Sequence, residues 1–142
     1  MNGQSQTHTK TLGTLGYIAP EFGSKGIIST KVDVYSFGIM LMEIFTRKKP
    51  DDDMFVEGLS LKSWISGSFP HAIIQVMDSN LLNGQERNSL HDIVKTTSSI
   101  FELALSCCAD LPEGRISMID AAASLNRIKV AFMQMPRQNV LK

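Results

Sequence analysis

The chain has 142 residues, 43% hydrophobic and 20% charged, which suits one globular domain with an ordinary core. Its 14 Lys and Arg balance 14 Asp and Glu, so no single-sign field draws it to nucleic acid or to an anionic membrane surface. The longest apolar stretch, Phe37 to Phe45, is interrupted by Glu43 and is too short to insert across a bilayer.

Met1 to Leu12 is polar and without periodicity, and reads as a mobile segment. It has no basic n-region or apolar h-region, so no signal peptide and a cytosolic chain are expected. Ser29-Thr30 can cap a helix whose apolar residues, from Val32 to Phe45, fall on every side. A helix of that kind belongs inside a core and expects cover all round. It should stop near Arg47-Lys48-Lys49, since Pro50 prevents continuation.

Pro50 to Gly58 reads as a solvated loop, and Ser60 can cap a short helix through Leu61, Trp64 and Ile65 that Gly67 and Pro70 end. His71 to Met77 is a short apolar piece, and Asp78 to Asn88 reads as a polar loop. A long helix is predicted from Leu90 to Ala109, on Ile93, Ile100, Phe101, Ala104, Leu105 and Cys108. Adjacent Cys107 and Cys108 are poor disulfide partners and read as reduced core thiols. Pro112-Glu113-Gly114 breaks the chain. Ser117 with Asp120 forms a capping-box pattern opening a last helix, with a stripe of Met118, Ala122, Leu125, Ile128 and Phe132. Pro136 closes it. His8, His71 and His91 stand at no ligand spacing, and no metal site is expected. No strand pair is evident, and the fold class is all-α.

The run Gly13-Thr14-Leu15-Gly16-Tyr17-Ile18-Ala19-Pro20-Glu21, followed by Asp33-Val34-Tyr35-Ser36-Phe37-Gly38, resembles the end of a protein-kinase activation segment followed by the central helix of the large lobe. Arg115 stands where that family places the arginine that pairs with the glutamate of Ala19-Pro20-Glu21. Thr46-Arg47-Lys48-Lys49-Pro50, Leu61 with Trp64, and Cys107-Cys108-Ala109-Asp110 resemble the plant leucine-rich-repeat receptor-like serine/threonine kinases. Many relatives have Arg-Pro at Arg115-Ile116, a departure that leaves the arginine in place.

The resemblance implies an incomplete C-terminal kinase lobe over 13–133, an activation-segment remnant over 1–12 and a tail over 134–142. It implies that Gly13, Thr14, Leu15, Gly16 and Tyr17 form a substrate-positioning loop, in which Thr14 faces the catalytic aspartate unless it only satisfies a local turn. Glu21 and Arg115 would be a buried structural ion pair, the alternative being two unrelated surface charges. Asp33 would anchor the central helix to a catalytic loop, or else act only as a capping charge. Trp64 is either a residue of the substrate-side helix or plain core filler. Ser5, Thr7, Thr9 and Thr11 are candidates for phosphorylation.

A kinase also carries a glycine-rich loop, a phosphate-pairing lysine and two catalytic aspartates ahead of this point. About twelve residues precede Gly13 in this sequence. The expectation is therefore a chain with no catalytic residues of its own and no bound ATP or Mg, although the complete family domain uses both. Three readings stay open: an inactive partial kinase, a non-catalytic module that binds a protein substrate or a kinase partner, and a recorded piece of an ordinary kinase. Location on the cytoplasmic side of a plasma membrane follows only if the chain is part of a receptor kinase. Loss of the elements that normally precede the activation segment should leave an apolar patch on the lobe.

Overall fold

The computed structural model describes residues 16–26, 29–83 and 89–136. These form six α-helices, α1 Pro20–Lys25, α2 Thr30–Thr46, α3 Leu61–Ser66, α4 Ile73–Val76, α5 Leu90–Cys107 and α6 Met118–Met133. Single 3-10 turns lie at Ser79–Leu82 and Pro112–Gly114, and the described residues contain no strand.

The longest helices begin where side-chain oxygens can replace missing backbone partners. Ser29, Ser89 and Ser117 accept from the N–H groups of Lys31, Asp92 and Asp120. A reciprocal capping box forms instead at Ser60 and Ser63, ahead of α3. At Ser117 the structure has the single serine bond rather than the expected box. Asp120 is one methylene shorter than the usual glutamate, which limits its reach back to the cap. α2 ends on Arg47, a non-glycine residue in the left-handed region at φ 63°. Thr46 braces that end, its hydroxyl donating to the Met42 carbonyl at 2.7 Å and accepting from Lys48 N–H at 3.0 Å.

α2 and α5 share the most extensive interface, and α6 lies against both. They meet at Gly38, where a Cβ would stand 2.6 Å from both Cys107 Cβ and Cys108 Sγ. Hydrogen in place of a side chain is what lets the two backbones approach there. Val34, Met42, Leu61, Ile65, Phe101, Cys107 and Cys108 are the largest fully buried side chains. Burial pushes the Cys107 thiol up to about 11 and the Cys108 thiol up to about 12, so both stay protonated core groups.

α2 exposes an apolar flank opposite α5, with Met40 49% and Ile44 56% exposed, in line with the apolar patch expected on the lobe. Three sequence expectations change here. The Pro50–Gly58 loop is only partly solvated, because Phe55 packs edge-on against Trp64 with ring centroids 5.6 Å apart. Within Asp78–Asn88, the Ser79–Leu82 turn tucks Leu81 and Leu82 against the core, tied by Asp78 N–H to the Phe45 carbonyl at 2.8 Å. The stripe of α6 is also rotated. Ala121 is fully buried, whereas Met118 and Ala122 are exposed.

Candidate functional site

The site is built where the segment from Gly16 to Glu21 crosses α2. Gly16 sits at φ +94°, and a Cβ there would come within 2.6 Å of Pro50 Cβ. A side chain would be excluded by both backbone conformation and the neighbouring loop. Tyr17 follows and is held along α2 at two points. Its carbonyl accepts from Ser36 Oγ at 2.6 Å, and its hydroxyl donates to Glu43 Oε1. Ser36 and Glu43 are seven residues apart, two helical turns or about 10 Å, so the tyrosine lies lengthwise on one face of α2. Burial, and then the bond to Glu43, push the Tyr17 phenol up to about 12. It therefore stays protonated and donating at neutral pH.

Pro20 opens α1 at the position where a missing N–H costs nothing. Glu21 follows, buried, and meets Arg115 in two parallel bonds of 2.6 and 3.0 Å. The Arg115 side chain is 0% exposed and that of Glu21 8%. Arg115 also donates to the carbonyls of Ala109 at 2.9 Å, Lys31 at 2.8 Å and Asp110 at 3.3 Å. All five guanidinium N–H groups thus have partners, the condition under which a buried charge is tolerated. Tyr35 lies beneath with its ring centroid 5.1 Å from the Arg115 guanidinium, and Lys62 stands 5.7 Å from the same ring. The pair therefore fastens the segment after Tyr17 to the loop between α5 and α6.

The guanidinium holds the Glu21 carboxyl below its ordinary value of 4.5. A carboxyl depressed by folding adds stability that is complete above the ordinary range and disappears as pH falls through the depressed value. Urea titrations should accordingly give a flat Glu21 contribution above about pH 4.5, declining in more acidic buffer. Glu21→Gln should remove that acid limb from the curve.

Asp33 is exposed in the first turn of α2, and its carboxylate has no hydrogen-bond partner among the described residues. Gly13, Thr14 and Leu15, and Ser5, Thr7, Thr9 and Thr11, lie outside the described residues. Trp64 is half-buried against Phe55. Sequence reasoning did not single out Glu43, Ser36, Lys31 or Lys62. Glu43 did leave a signal, as the lone charge within an apolar helix. Ser36 and Lys31 act on main-chain carbonyls, and Lys62 on one carbonyl and the Asp110 carboxylate 48 residues away, which no local side-chain pattern reveals.

No three His, Cys, Asp or Glu side chains gather as metal ligands among the described residues. No helix among them is long and apolar enough to cross a membrane.

A central helix buried against α5, an Ala-Pro-Glu segment clamped by a distant arginine and a tyrosine pinned along that helix define a kinase large-lobe architecture. The protein kinase domain matches residues 1–125, and the chain belongs to that family. Within it, the relatives are plant receptor-like serine/threonine kinases. The chain is 37% identical over 123 residues to a receptor-like protein kinase of Arabidopsis thaliana, covering 86% of this chain and 12% of the relative. It is 35% identical over 133 residues to the receptor kinase-like protein Xa21 of Oryza sativa subsp. japonica, covering 89% and 13%. Among solved structures it is similar to the pseudokinase domain of BIR2, described as an immune regulator of the RLK/Pelle family. That likeness has a TM-score of 0.65 at 31% identity, covering 82% of this chain and 34% of the other. The chain thus spans about an eighth of the length of those two receptor kinases.

Proposed function

We propose that these residues are the substrate-side portion of a receptor-like serine/threonine kinase lobe, running over 13–133, and that the loop Gly13-Thr14-Leu15-Gly16-Tyr17 positions a protein substrate. The observation that carries this is the fastening of the loop's near end, with Tyr17 tied to Ser36 and Glu43 and Glu21 tied to Arg115. Rigid placement of a hydroxyl-bearing substrate is most of what a protein contributes to phosphoryl transfer. Thr14 would face the attacking hydroxyl, and Asp33 would anchor a catalytic loop. Ser5, Thr7, Thr9 and Thr11 would be phosphorylated as part of an activation segment. In a receptor kinase this lobe works on the cytoplasmic face of the plasma membrane.

ATP and magnesium serve the complete family domain. In that domain the nucleotide is held by a glycine-rich loop, a lysine and aspartates ahead of the activation segment, motifs that this sequence does not carry. The 142 residues by themselves are therefore expected to give no phosphate transfer to a Ser/Thr peptide in the presence of ATP and Mg. Radiolabel incorporation above background in a purified sample would overturn that reading.

A second reading, a non-catalytic binding module, is favoured by the likeness to a pseudokinase domain. It predicts specific retention of purified receptor-kinase cytoplasmic domains on the immobilised chain. Equal retention of an unrelated protein would reject it.

A further inference from the structure

We propose that Lys31 and Lys62 are positioning residues that hold the loop between α5 and α6 in the one shape that lets Arg115 reach Glu21. Lys31 stands in the first turn of α2 and Lys62 in the first turn of α3. A cation at a helix N-terminus opposes the helix dipole. Lys31 is therefore badly placed for the stability of its own helix. What it does instead is donate from Nζ to the carbonyls of Pro112 at 3.1 Å and Arg115 at 2.7 Å. Lys62 occupies the matching position in α3 and donates to the Cys108 carbonyl at 2.6 Å and to Asp110 Oδ1 at 2.7 Å.

The Lys31 contact is reciprocal. Its ammonium binds the Arg115 carbonyl while its own carbonyl accepts from the Arg115 guanidinium at 2.8 Å. Backbone and side chain of one residue thus fix backbone and side chain of the other. Within Cys108–Arg115, five carbonyls accept from only three cations, Lys62 at one end, Lys31 at the other and Arg115 in the middle. Carbonyls converging in this way repel one another unless cations lie between them. The two lysines keep the loop folded around the guanidinium, and the guanidinium then sets the segment leading back to Tyr17. This deepens the docking reading above by naming what orders the loop's anchor.

Amide hydrogen exchange on the full chain tests it through two separated groups of amides. One is Gly114, Arg115 and Ile116 in the loop, and the other is Phe22 and Gly23 in α1. Lys31→Met should speed exchange roughly tenfold in both groups, the scale expected for a lost charge-assisted hydrogen bond, while the interior of α2 is unchanged. Lys31→Arg keeps a cationic donor and should stay near wild type. Lys62→Met should speed the loop amides and leave α2 unchanged. Unchanged exchange at Phe22 and Gly23 in Lys31→Met, a uniform rise along the whole chain, or failure of that variant to fold would each overturn the proposal. None of these readouts involves a substrate, so a failed docking or phosphate-transfer experiment leaves this result standing, and the reverse also holds.

Discussion

Arg115→Met is expected to lower folding stability by about 3–5 kcal/mol, a large share of what a domain of this size possesses. The substitution preserves much of the aliphatic stem but removes five donors at once. Glu21 would then be left 8% exposed without its guanidinium, and the carbonyls of Lys31, Ala109 and Asp110 would each lose a donor. A lone buried carboxylate is costly, so it either takes up a proton or draws in water by opening the Gly16–Glu21 segment. Equilibrium urea denaturation at neutral pH measures the loss directly. A change under 1 kcal/mol would mean that solvent reaches the pair and screens it, as at a surface salt bridge.

Gly38→Val is the second large effect. The first added carbon would lie 2.6 Å from Cys107 Cβ and from Cys108 Sγ, and 2.8 Å from the Ala104 carbonyl oxygen. Two of these belong to short, buried side chains and the third to backbone, so no flexible tip can yield. The helices must separate, which loosens Phe101 and Met42, both fully buried in the same core. Overpacking of this kind costs about 1–3 kcal/mol, and the two γ-methyls of valine push it towards the upper end. Gly38→Ala should show a smaller loss in the same thermal-melting series. Equal melting temperatures for all three proteins would show that α2 and α5 are not in close contact.

The helices were legible where one periodicity determined them. Of the positions read for α5 from spacing, Ile100, Phe101, Ala104 and Cys108 are buried and Ile93 and Leu105 partly so, while Thr97, Leu103 and Cys107 complete the buried face. α6 was harder, because Ala121 and Ala122 are equally apolar and only the rotation of the helix against α2 and α5 selects the first. The Ser79–Leu82 turn was hidden by polar neighbours, and its two leucines are held inward by a main-chain bond to Phe45. In the site, Glu21 and Arg115 could be named together only through motif order, since they lie 94 residues apart. The carbonyl shell around Arg115 could not be foreseen, because backbone acceptors carry no residue identity. Glu43 stood in plain view as a charge inside an apolar helix, a position that demands a partner, and Tyr17 is that partner.

The open flank at Met40 and Ile44 had a sequence counterpart as well. The helix is apolar on more sides than α5 and α6 can cover, which fits a lobe whose remaining elements lie outside these residues.

The most direct measurement is a double-mutant cycle on Glu21→Gln and Arg115→Met by urea denaturation. If the bidentate pair is what joins the Gly16–Glu21 segment to the α5–α6 loop, the second substitution will cost far less once the first is made, with a coupling energy of about 2 kcal/mol or more. Additive losses would contradict that, because they would mean that the two residues stabilise separate parts of the protein.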